Sequence, residues 1–168
     1  MNFVVAVIPP QSVQDVANSY RKRYDPLYNL IPPHIKLTEI FYAHPDQMAN
    51  IDHFLRQVAH QTDSFSVKIH KVSHFHPTNN VLYLAIQDEQ PLIALHHKIY
   101  EASFLPERTY AYVPHLTIGQ RLSDDELHDV YGQLRMKKFE LEFTVDRFHL
   151  LKETENRTWI IDRTYPLT

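Results

Sequence analysis

The sequence predicts an α+β chain of two pseudo-symmetric lobes, each with a small, mostly antiparallel sheet and helices outside, around a central cleft. Two observations carry that expectation. After a first strand, the order helix, strand, helix, two strands occurs twice. The segment Pro33-His34-Ile35-Lys36-Leu37 also returns, 81 residues later, as Pro114-His115-Leu116-Thr117-Ile118. Two similar halves can place equivalent residues opposite each other, one histidine strand from each side.

Each element follows from local pattern. Phe3 to Ile8 is a continuous apolar run ended by Pro9-Pro10, the mark of a buried strand. Val13, Val16, Ala17 and Tyr20 then recur at helical spacing. Pro32-Pro33 stops that helix, because a residue before proline is pushed out of helical space. The next strand spans His34 to Phe41, with Ile35 and Leu37 on one face and His34, Lys36 and Thr38 on the other. Pro45 suits a helix start, and Met48, Ile51, Leu55 and Val58 form the stripe that follows. Phe65, Val67 and Ile69 alternate with polar residues. With the turn residues Pro77 to Asn80 and the run Val81 to Ile86, they predict a hairpin over residues ~65 to ~87.

Leu92, Leu95, Ile99 and Ala102 mark a third helix, and His115 to Arg121 a further strand. Ser123, with Glu126 three residues on, is a capping box for a fourth helix that buries Leu127, Val130, Tyr131 and Leu134. Leu141, Phe143 and Val145 alternate as a strand, and Thr158 to Tyr165 supplies the last. No linker, low-complexity run or charge block divides the chain, so residues 1–168 are expected to form a single bilobal domain.

Composition excludes several functions. The chain has 168 residues, 43% of them apolar and 22% charged. It has no cysteine, so disulfides and thiolate metal sites are ruled out. Only Gly119 and Gly132 are glycines, too few for a phosphate-cradling loop or a dinucleotide fingerprint. A net charge of −3 argues against a general nucleic-acid surface. The first apolar run is too short to cross a membrane and lacks the flanks of a signal peptide. A cytoplasmic protein is expected.

Phosphate chemistry here therefore falls to side chains. Phosphodiester cleavage requires a group that accepts a proton and another that donates one, and histidine does both near neutral pH. His34 and His115 are the expected catalytic pair. Thr117 lies two residues beyond His115 on the same strand face, ~6.6 Å along. Lys36 is its counterpart in the first half, and Thr38 follows on that face. These three are the expected phosphate-holding residues, since donors aimed at developing charge lower the barrier. Gly119 would leave room for substrate, and Arg121 extends the same face to the rim. No metal and no cofactor are expected.

With these residues the chain resembles the 2H phosphoesterase superfamily, which includes 2′–5′ RNA ligase-like proteins and cyclic phosphodiesterases. That family carries two His-x-Thr/Ser-x motifs. His115-Leu116-Thr117-Ile118 matches in full, whereas His34-Ile35-Lys36-Leu37 has lysine where a hydroxyl residue is expected. The resemblance implies metal-independent hydrolysis or transesterification of a 2′,3′-cyclic phosphate or a 2′–5′ linkage, with a nucleotide or RNA end bound locally in the cleft. Lys36 admits three readings: a replacement for the hydroxyl, a charge that lowers the pKa of His34, or a mark of lost activity. The alternative function is a non-catalytic binder of phosphorylated nucleotides or RNA ends.

Other groups read more plainly. His70, His74 and His76 share strand parity, but His70 and His74 would stand ~13 Å apart on a straight strand, so a metal site there needs a bend. His96 and His97 read as surface residues, and Tyr83 as one of several tyrosines able to stack on a base.

Overall fold

In the computed structural model, which describes residues 1–108 and 110–168, the first strand is almost wholly buried. β1 (Asn2–Val7) turns Phe3, Val5 and Val7 into the main core and Val4 and Ala6 onto a second cluster with Ile31 and Leu151. Burial on both faces explains why it reads as an unbroken apolar run. α1 (Gln11–Tyr24) follows, then β2 (Ile35–Lys36) and β3 (Phe41–Tyr42). After a 3₁₀ turn at Pro45–Gln47 come α2 (Met48–His60), β4 (Phe65–His74), β5 (Leu82–Ile86) and α3 (Gln90–Ile99). The chain continues through β6 (His115–Gly119), α4 (Asp124–Leu134), β7 (Leu141–Val145), β8 (Arg147–Glu153) and β9 (Trp159–Pro166).

Two antiparallel sheets result. One runs β2-β1-β8-β9, with β3 also on β1; the other runs β6-β5-β4-β7. The lobes therefore exchange elements between the sequence halves. The first half's hairpin, β4–β5, lies in the sheet of His115, and the closing hairpin, β8–β9, in the sheet of His34. Each histidine strand takes an edge of its sheet, and β2 and β6 lie against each other at the centre. A single buried cluster runs through both sheets.

The helices cross over as well. α1, which leads into the His34 segment, packs on β6, while α2 packs on β9 and α3. Gly119 makes the α1–β6 approach possible: a Cβ there would stand 3.0 Å from Tyr24 Cβ and 3.4 Å from Tyr24 O. Its missing side chain thus makes room for α1 rather than for substrate. α4 carries the expected cap, with the Glu126 N–H donating to Ser123 Oγ at 3.2 Å.

Two strands differ from expectation. The strand expected over His34 to Phe41 is interrupted, because Leu37 and Thr38 both donate their N–H to Val5 O, at 2.7 and 3.2 Å. That bulge breaks side-chain alternation after Lys36. β8 was not anticipated. It is central and buried on both faces, with Leu150 in the main core and Leu151 in the second cluster, so it carries no period-2 signal. Among the described residues, no helix is long and apolar enough to cross a membrane.

Candidate active site

The two histidines are held in the same way. His34 Nδ1 lies 2.9 Å from Pro32 O, and His115 Nδ1 lies 2.7 Å from Val113 O. Each ring bonds the carbonyl two residues before it. A carbonyl only accepts, so Nδ1 carries the hydrogen and Nε2 keeps its lone pair. Both rings line one cavity and are half-buried.

Burial governs their charge. Desolvation lowers His34 to about 4, against the raising effect of its carbonyl bond, with Arg21 and Lys36 pushing it further down and Asp25 up. Desolvation likewise lowers His115 to about 4, with Lys36 and His34 adding to the fall. Lys36 thus acts on both rings, and the cleft presents two neutral imidazoles at pH 7.

The cavity has a volume of about 710 Å³. Of the expected phosphate-holding residues, Lys36, Thr38 and Thr117 all line it. Thr117 follows His115 on β6 and is half-buried. Thr38 is 2% exposed, and its Oγ1 accepts the Val5 N–H at 3.0 Å, which leaves the hydroxyl hydrogen for another acceptor. Lys36 Nζ is paired with Glu39 Oε1 at 2.5 Å, and Lys36 O accepts from Tyr112 Oη at 2.7 Å. Arg121 is exposed with a φ of 58° and leaves the strand direction.

Several lining residues escaped sequence reasoning. Arg21 and Asp25 form a buried pair at 3.2 Å, and Arg21 also donates to Ile31 O at 2.7 Å. Asp25 Oδ1 accepts from the Gln120 side chain at 2.9 Å. This pair therefore ties the loop before His34 to the end of the His115 strand. The i,i+4 spacing of Arg21 and Asp25 is visible in sequence, but in the run Arg21-Lys22-Arg23 nothing marks one cation as buried. His96 was expected at the surface. It is 2% exposed, bonds Leu37 O through Nδ1 at 2.7 Å, and stacks on Tyr112 with centroids 3.9 Å apart. Tyr83 is 8% exposed and packed beneath Phe75, which itself meets His115 edge-on at 4.9 Å. Phe75, Val113 and Trp159 give the cavity apolar walls.

His70, His74 and His76 do not converge. Among the described residues no group of three His, Asp or Glu side chains could hold a metal ion. His74 and His76 have ring centroids 6.3 Å apart, and His76 instead bonds Asn80 Oδ1 at 3.0 Å.

The model of the 2′-5′ RNA ligase superfamily matches residues 9–157. A Bacillus cereus protein provisionally named a phosphoesterase is 46% identical over 167 residues, covering 99% of this chain and 97% of its own length. A Geobacillus protein with the same provisional name is 44% identical over 165 residues, covering 98% and 95%. Among solved structures, Escherichia coli LigT complexed with 3′-AMP superposes with a TM-score of 0.75 at 13% identity, covering 99% of this chain and 98% of that one. A Thermus thermophilus protein gives 0.71 at 17% identity, with the same coverage. At such identities the structural likeness speaks for the fold.

Proposed function

This chain belongs to the 2′-5′ RNA ligase superfamily, and on that premise we propose that it is a phosphoesterase whose two histidines, His34 and His115, cleave a phosphodiester by acid and base catalysis. The substrate class is a 2′,3′-cyclic phosphate or a 2′–5′ linkage in RNA or a nucleotide. The observation that carries the proposal is the twin anchoring of Nδ1, which leaves an unprotonated Nε2 on each histidine strand.

In hydrolysis, one Nε2 takes a proton from water as its oxygen bonds phosphorus. The bond from phosphorus to the leaving ribose oxygen breaks, and the other imidazole, protonated, gives that oxygen its hydrogen. Either histidine can take either role. The lining residues Thr117, Thr38 and Lys36 face the non-bridging oxygens, where negative charge gathers. Apolar walls at Phe75, Val113 and Trp159 suit a nucleoside. No step calls on a metal.

The depressed histidines set the pH profile. The base is already neutral at pH 7, since burial lowers its pKa to about 4. The acid must be charged, and the bound phosphate anion raises its pKa toward neutrality. A bell-shaped profile is expected, with its acid limb at about pH 4 and its basic limb set by the substrate-bound acid.

The test is hydrolysis of 2′,3′-cyclic nucleotides and 2′–5′ dinucleotides in EDTA. Wild type should turn over, and His34→Ala or His115→Ala should each lose ~100-fold or more. Turnover that survives both substitutions, or that EDTA abolishes, would sink the mechanism. Two neutral imidazoles are also what a binding module would present. Folded wild type that binds nucleotides and forms no product would establish that second reading.

A further inference from the structure

We propose that Glu39 is a specificity-determining residue: by pairing with Lys36 inside the cleft, its carboxylate lets the site hold a singly charged phosphodiester and reject a doubly charged phosphomonoester. The proposal rests on the phosphodiester reading above, and it concerns the feature in which this chain departs from its family's motif.

Where the second half carries the neutral hydroxyl of Thr117, the first half carries a cation. A lone ammonium beside two histidines would favour the most highly charged phosphate available. For a diester-cleaving enzyme that is the monoester product, which would then leave slowly. Glu39 changes the balance. Its Oε1 meets Lys36 Nζ at 2.5 Å, and both side chains remain open to the cavity, at 36% and 40% exposure.

The backbone on either side of the pair is held by two tyrosines. The Glu39 N–H donates to Tyr100 Oη at 3.1 Å, and Tyr112 Oη donates to Lys36 O at 2.7 Å. The two main chains are therefore anchored by the residue that follows α3 and by the segment before His115. Lys36 and Glu39 do not meet merely because both are free to drift.

Arg21, the other cation in the cavity lining, is engaged elsewhere. Its Nε donates to Asp25, its Nη1 to Asn18 Oδ1, and its Nη2 to Ile31 O. It is 2% exposed, and each of its three nitrogens already donates within the protein. With His34 and His115 neutral, the charged side chains lining the cavity among the described residues are Arg21 with Asp25 and Lys36 with Glu39, which sum to zero. A site of zero net charge can hold one negative charge between Lys36 and the hydroxyls of Thr117 and Thr38. A second negative charge meets the Glu39 carboxylate at close range, in a partly desolvated site where such repulsion is strong.

The experiment is calorimetric titration at pH 7.5 with two matched ligands, a 2′-deoxynucleoside 3′-monophosphate and its methyl ester. Neither has a neighbouring hydroxyl to cyclise, and they differ chiefly by one charge. Wild type should bind the methyl ester ~10-fold more tightly than the monoester, and Glu39→Gln should bring the two within ~2-fold, mainly by tightening the monoester. Lys36→Gln should move the ratio the other way. A wild type that favours the monoester, or a ratio unmoved by Glu39→Gln in protein with native circular dichroism, overturns the proposal. The readout needs no turnover, so a failed hydrolysis assay and a failed charge preference are separate results. Absence of binding by either ligand to folded wild type overturns both readings.

Discussion

A single hydroxyl shows how one side chain serves both the fold and the cleft. Thr38 sits where the sheet should continue, yet its own N–H and that of Leu37 crowd onto Val5 O. The Val5 N–H then takes Thr38 Oγ1 as its acceptor, inside the core. Thr38→Val keeps the shape and strands that donor, so it should lower unfolding free energy by about 1–3 kcal/mol, with Thr38→Ser close to wild type. Urea titration of the two variants checks this, and equal stability of valine and wild type would refute it. At this scale the sequence revealed what a motif can reveal. His34, His115, Lys36, Thr38 and Thr117 all line the cavity. Glu39 was missed because a pair three residues apart with Lys36 reads as an ordinary surface pair, and Arg21 and His96 because their burial is set by distant carbonyls, Ile31 O and Leu37 O. Long-range pairing of a polar residue leaves no local pattern.

The two glycines separate the forces that act on elements. Gly119 lies where β6 meets α1, and the atom in its way is Tyr24 Cβ, which moves only if α1 moves. Gly119→Ala should destabilise by about 1–3 kcal/mol and lower turnover by shifting the His115 strand. Gly132 is inside α4 with nothing within 4 Å of a Cβ and no positive φ. Gly132→Ala should therefore stabilise by about 0.5–1 kcal/mol and leave turnover unchanged. Thermal melts of both, run beside the hydrolysis assay, distinguish a packing constraint from a propensity defect. Opposite signs are required, and equal signs would contradict the geometry. Elements with a clean period were legible: the stripes of α1 to α4, the β4–β5 hairpin and the alternation of β7. Two strands were not, since the bulge at Leu37/Thr38 breaks the alternation after Lys36, and β8, buried on both faces, carries no alternation to read. Nor could sequence show that the β4–β5 hairpin pairs with strands of the other half, because sheet partners are chosen by the whole assembly.

That exchange places two histidines at the contact of two sheet edges, where the proposed catalysis and stability make opposite demands on the same groups. On the proposed mechanism each is a proton carrier, yet each is desolvated by the fold that positions it. Desolvation also holds His96 and His149 below their usual range. For His34 and His115 the folded value is about 4 against an ordinary 6.5. Between those limits the unfolded chain binds more protons than the folded one, so unfolding free energy rises with pH across the window and falls as pH drops through it. Each of the two contributes a slope of at most about 1.4 kcal/mol per pH unit. Urea midpoints should therefore decline from pH 7 to pH 5, before most carboxylates titrate. The double variant His34→Ala with His115→Ala should show a shallower decline, because two of the groups that must stay neutral are gone. A monoanionic ligand in the cleft should also flatten the slope, because it stabilises the charged imidazole that folding otherwise opposes. If the midpoints stay level from pH 7 to pH 5 in wild type, the histidines are not held neutral by burial, and the account of how substrate switches one of them into an acid fails with them.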